Sequence, residues 1–94
     1  MTAARARVEG IWRNEQGEIR LDEPATGLLH TRMIGHASPE MARFIVAGGE
    51  RIMAGGGLMT AFHDWADATG YDTESRQLLT DWGVRRRAQI ERVH

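Results

Sequence analysis

The stretch Ser38-Pro-Glu-Met-Ala-Arg-Phe-Ile-Val-Ala-Gly-Gly-Glu-Arg-Ile-Met-Ala-Gly-Gly-Gly57, followed at once by Leu58-Met-Thr-Ala-Phe-His63, decides the fold. Ser38 stands where a helix cap belongs, Pro39 at the first helical position and Glu40 in the first turn. Met41, Phe44, Ile45, Gly48 and Ile52 then recur at helical spacing, which predicts an amphipathic helix. The glycine triplet 55–57 ends it, and the apolar run from Leu58 to His63 suits a buried strand. Upstream, Leu28 to Ile34 alternates with period two. Leu28, His30, Arg32 and Ile34 share one face, and Leu29, Thr31 and Met33 the other. Strand, helix and strand joined by short connections form a βαβ unit, which implies parallel pairing and a right-handed crossover.

The flanks extend this unit in both directions. Arg7 to Asn14 reads as a strand carrying Val8, Ile11 and Trp12. Asn14-Glu-Gln-Gly17 is turn chemistry, and Glu18-Ile-Arg-Leu-Asp22 alternates polar and apolar residues, so the pair predicts a β-hairpin. Beyond the central strand, Asp72 or Thr73 caps a second helix and Glu74 favours its positive end. Leu78, Leu79, Trp82, Ile90 and Val93 supply the apolar stripe of that helix, interrupted where Arg86 falls on the same side. Gly83 sits inside it at a cost of about 1 kcal/mol relative to alanine. The order ββ(β)αβα predicts an α/β domain, with α+β as the alternative: a small mixed sheet of four strands with both helices packed on one face. A flexible N-terminal arm over 1–6 precedes a single domain over 7–94.

Composition narrows the function classes. The chain has 94 residues, 41% of them apolar, enough for one core. A domain this short buries only about 60–65% of its unfolded surface, so its stability margin is thin and self-association would widen it. No run approaches the ~20 apolar residues of a membrane helix, and no secretory signal opens the chain. Cysteine is absent, which removes disulfides, thiolate zinc sites and cysteine nucleophiles and suits the cytoplasm. A net charge of −1 argues against nucleic-acid binding by bulk attraction. All twelve basic residues are arginine, so no lysine is available for Schiff-base chemistry or a phosphate loop.

Few residues invite a chemical reading. His63 with Asp64 or Asp67, at a strand end, has the residue types for a metal or for acid–base work. Potential ligands so close in sequence rarely converge, and no second histidine motif completes the set. The preferred reading is structural: Asp64 stabilises the loop and His63 packs beside Trp65. His30 and His36 share strand parity but lie six residues apart. The glycine triplet precedes a strand, whereas a phosphate loop runs from strand through glycines to helix. Arg85-Arg-Arg87 is the one dense basic run and reads as a solvated helix face. Trp12 and Trp82 read as core, and no serine has a nucleophile context. No catalytic residue, metal or cofactor is expected.

From about Gly27 to His94 the chain resembles the STAS superfamily, the fold of anti-sigma-factor antagonists (SpoIIAA-like proteins) and of the cytosolic tails of sulfate transporters. Leu28-Leu-His-Thr-Arg-Met-Ile-Gly35 resembles the family's strand ending in glycine before the first helix. Leu58-Met-Thr-Ala-Phe-His-Asp64 resembles its central strand ending in aspartate. Asp72-Thr73, followed by Leu78-Leu79, resembles the Asp-Ser/Thr pair that opens the second helix. The wording from Tyr71 to Trp82 is nearer to uncharacterised bacterial STAS-like proteins than to true antagonists. Two departures stand out: Ser75-Arg76 replaces the glycine that follows the antagonists' phosphorylation site, and Val93 is reached without the further strand and final helix of the family.

The resemblance implies a regulatory protein-interaction module of STAS type in the bacterial cytoplasm. Thr73 would be the regulatory phosphorylation site, with Ser75 in reserve. Asp64, Trp65, Asp72, Thr73 and Arg76 would meet the partner, which is a regulatory protein or a second copy. The absent strand would leave an open sheet edge, covered by a homo-oligomer whose interface includes Arg86, Ile90 and Val93. The alternative is a domain holding a small ligand or lipid against its sheet, and a hydrolytic or metal enzyme built on His63 and Asp64 is the third class.

Overall fold

The computed structural model describes residues 6–54 and 57–94. Residues 1–5 of the expected arm, and Gly55 and Gly56 of the expected helix stop, lie outside the described residues. The elements are β1 (Glu9–Arg13), β2 (Gly17–Asp22), β3 (Leu28–Ala37), α1 (Pro39–Ile52), β4 (Met59–Tyr71), α2 (Thr73–Arg85) and β5 (Ile90–Val93). They form a five-stranded mixed sheet in the order β1-β2-β3-β4-β5. The first three strands make an antiparallel meander, whereas β3, β4 and β5 run parallel.

Two crossovers that step the same way along a sheet put their helices on the same face. Accordingly α1 and α2 pack on one another, and Met41, Ile45 and Ile52 share one core with Trp82. Ile19, Leu21, Leu29, Met33 and Met59 supply the sheet side of that core. Each such side chain contributes roughly 1.5–3 kcal/mol by leaving water. The expected parity of β3 holds: Leu29, Thr31 and Met33 are buried under the helices, while Arg32 and Ile34 are exposed on the opposite, open face. That open face is a charged surface, with Arg20 bonded to Glu18 at 2.7 Å and Arg32 to Asp67 at 3.2 Å.

The helix start reads as expected. Ser38 is the N-cap of α1, with its hydroxyl accepting from the Met41 amide at 3.4 Å. Gly35 lies within β3 at φ +85°, a region closed to most side chains, and a Cβ there would strike the carbonyl oxygen of Gln16. That backbone requirement accounts for a glycine at this point of the strand.

Three expectations are corrected. The sheet has five strands, not four, because Ile90–Val93 is a strand and not the end of a helix. The break in the α2 stripe at Arg86 is the helix end: Arg86 is the C-cap, and the chain turns before Ile90 pairs with Met59. The backbone groups of Met59 to Ala61 offer a ladder that a longer helix would have left unpaired, and β-branched Ile90 and Val93 suit it. The further strand of the resemblance is therefore present within the chain, a few residues earlier than expected. The third correction concerns β4, which runs on to Tyr71 instead of stopping at His63. Two register shifts against β3, at Arg32/Ile34 and Gly35/His36, absorb extra residues as bulges and keep the long strand paired.

Candidate functional site

The surface where β4 hands over to α2 carries most of the expected site. Thr73 is the first residue of α2 and is exposed, as are Tyr71 and Asp72. Asp72 is the N-cap by backbone geometry, yet its side chain makes no capping bond. Its carboxylate meets His36 Nε2 at 3.0 Å, tying the start of α2 to the end of β3. The Asp72 carbonyl accepts from the Ser75 amide at 3.0 Å, so the Thr73 and Glu74 amides are the ones left at the helix start beside the exposed Thr73 hydroxyl. Glu74 reaches across to Arg43 of α1 at 3.2 Å. Arg76 is exposed and, with Trp65, Tyr71 and Leu79, borders a hollow of about 250 Å3.

Ser75 is not an accessible hydroxyl. It is 2% exposed and donates to the Ala37 carbonyl at 2.9 Å, fastening α2 to β3. The reserve phosphorylation site is thus a buried structural bond. Asp64 also separates from the rest. It lies on the open face, opposite Arg32 in register, and its Oδ1 accepts from the Ala66 amide at 3.4 Å where β4 bulges. Its neighbours His63 and Trp65 lie on the helix face, so His63 and Asp64 do not form a working pair. His30 and His36 are likewise apart, His30 on Asp22 at 2.8 Å and His36 on Asp72. Among the described residues no group of three or more acidic or histidine side chains is placed to hold a metal ion.

A second depression continues from the first. Since α2 leans on α1, with only Ser75 and Trp82 of α2 buried, it stands off the sheet. A cleft of about 420 Å3 remains beside β4 and β5, bordered by Ala61, His63, Trp65, Leu79, Trp82, Ile90 and Val93 among others. The expected interface residues Ile90 and Val93 thus line a cleft, with Val93 62% exposed. Arg86 instead pairs with Glu50 of α1 at 3.0 Å. β5 supplies a strand at the sheet edge where one ground for expecting self-association was a missing strand.

Behind the cleft is a polar group of three residues: His63 packs beside Trp65 as expected, ring edge to face at 6.0 Å, and the Thr31 hydroxyl that joins them is what sequence reasoning missed. Trp65 Nε1 donates to Thr31 Oγ1 at 3.1 Å, and the same hydroxyl meets His63 Nδ1 at 2.6 Å. Burial holds the His63 imidazole below its ordinary value, and the nearby His30 adds to the effect. The signal was a polar Thr31 on an otherwise apolar strand face, which asks for a buried partner across the sheet.

No family model matches the chain, and no curated protein matches it. A five-stranded sheet with two helices in this order has the SpoIIAA-like fold. An uncharacterised protein of the DUF3478 family with that fold, from Shewanella loihica PV-4, superposes with a TM-score of 0.61 at 15% identity. The match covers 99% of this chain and 70% of the Shewanella protein.

Proposed function

We propose that this domain is a non-catalytic, cytoplasmic interaction module of STAS type, which binds a regulatory protein at the corner formed by Tyr71, Asp72, Thr73 and Arg76. The observation that carries the reading is the exposure of Thr73 as the first residue of α2, beside a hollow rimmed by Trp65, Tyr71 and Arg76. Phosphorylation there adds roughly −1.5 to −2 charges next to the positive end of a helix. The charge alters what docks at the corner and leaves the core untouched, because the Ser75 bond beneath it is separate from the Thr73 hydroxyl. The described residues include no helix long and apolar enough to cross a membrane.

The test is affinity capture from a lysate of the source organism, with wild-type and Thr73→Glu chains as baits and thermal melting measured in parallel. The reading expects a protein that the wild type retains and the variant loses, while both chains melt together. An identical set of captured proteins for both baits counts against the corner.

The cleft beside β4 and β5 favours a second reading, a small-ligand domain.

A further inference from the structure

The inner wall of that cleft carries a hydrogen-bond donor with nothing to receive it. An indole N–H can only donate, so Trp65 occupies a lone pair of the Thr31 hydroxyl. Thr31 is fully buried, and its own proton needs an acceptor. Among the described residues the remaining partner of that oxygen is His63 Nδ1. Nδ1 therefore accepts, and the ring proton resides on Nε2. Burial keeps the ring neutral at physiological pH. Nε2 has no partner among the described residues, and His63 borders the cleft. Trp82 borders it too, and its Nε1–H is buried without a partner among the described residues.

The surroundings decide the charge of a ligand. Ala61, Leu79, Ile90 and Val93 make the walls apolar, and Arg76 belongs to the neighbouring hollow. An anion would lose its hydration here with no cation to replace it, at a cost of several kcal/mol. An uncharged oxygen acceptor loses little and gains the waiting N–H. The geometry points to the cleft as a binding site for a small, apolar, uncharged molecule bearing a carbonyl oxygen, which accepts from His63 Nε2–H. Its volume, about 420 Å3, lies within the roughly 300–1,000 Å3 common for such sites. This inference rests on the small-ligand reading of the cleft and is independent of the protein-binding corner.

The test uses the isotopically labelled protein and three probes of one shape: 2-acetylnaphthalene, 2-ethylnaphthalene and 2-naphthoate. Amide shifts are expected at Ala61, Trp82 and Ile90. The ketone is expected to bind about three- to tenfold tighter than the hydrocarbon, the effect of one neutral hydrogen bond, and the carboxylate weakest. In His63→Leu the ketone's advantage disappears while the hydrocarbon still binds. Imidazole nitrogen shifts in the wild type, expected to report the Nε2–H form, keep the test decisive should that variant not fold. Equal affinities for ketone and hydrocarbon, an Nδ1–H ring, or shifts confined to the open sheet face would each overturn the assignment.

Discussion

Trp82 of α2 seats its benzo ring on Gly49 of α1, in the space that a side chain at position 49 would fill. This contact holds the two helices together, since α2 buries little else. Gly49→Ala would gain about 1 kcal/mol in helix propensity and lose about 1–3 kcal/mol in overpacking, so a net loss of stability is expected in urea unfolding. Gly83→Ala is the control. Nothing lies within 4 Å of its added Cβ, so the variant should gain up to about 1 kcal/mol. A more stable Gly49→Ala chain would mean that the helices do not meet in this way.

His63 gives the domain a pH-dependent stability of definite sign. Burial lowers the folded-state value below the ordinary 6.5. Above 6.5 the ring is neutral in both states, and no penalty applies. As pH falls below it, the unfolded chain takes up a proton that the folded chain resists, so stability declines until the folded value is passed. The chain holds four histidines, so the informative quantity is the difference between wild type and His63→Leu. Unfolding free energies between neutral and mildly acidic pH should fall more steeply for the wild type. Parallel curves would place His63 in water.

Glu23 is buried, with one carboxylate oxygen accepting from the Val8 amide at 3.0 Å and the other from the Gly27 amide at 2.9 Å. It joins the approach to β1 with the turn before β3. Glu23→Ala removes the acceptor of both amides and should cost about 2–3 kcal/mol. A loss below about 0.5 kcal/mol would show that the two amides find water.

Ser75 and Thr73, two residues apart, should respond in opposite ways. Ser75→Ala removes one of two donors to the Ala37 carbonyl, which the Asp72 amide still reaches at 3.1 Å, and should cost about 0.5–1.5 kcal/mol. Thr73→Ala touches an exposed position and should stay within about 0.5 kcal/mol. The reverse order in chemical denaturation would contradict the described start of α2.

Sequence pattern carried the central βαβ unit, because Ser38, Pro39 and the helical spacing from Met41 agree with one another. Face assignments in β3 were legible for the same reason: one face is buried, so parity is enforced. The end of α2 was not, since Ile90 and Val93 fit a helical stripe as well as a strand, and pairing with β4 decided between them. β4 was expected to stop at His63, so Asp64 and Trp65 were read as neighbours on one loop surface, whereas the longer strand puts them on opposite faces of the sheet. Thr73, Asp72 and Arg76 were found together because they share one helix turn. The Thr31–His63–Trp65 group depends on strand register, which no single segment encodes.

The corner at the start of α2 is the central claim, and photo-crosslinking tests it most directly. A photoreactive residue is placed at Tyr71 or Arg76, and at Ile11 or Arg32 on the open sheet face as comparison, in chains shown to melt like the wild type. The account predicts a discrete crosslinked partner from positions 71 and 76, lost on Thr73→Glu, and none from 11 and 32. A partner captured from 11 or 32 and absent from 71 and 76 would contradict it and move the binding surface to the open face of the sheet.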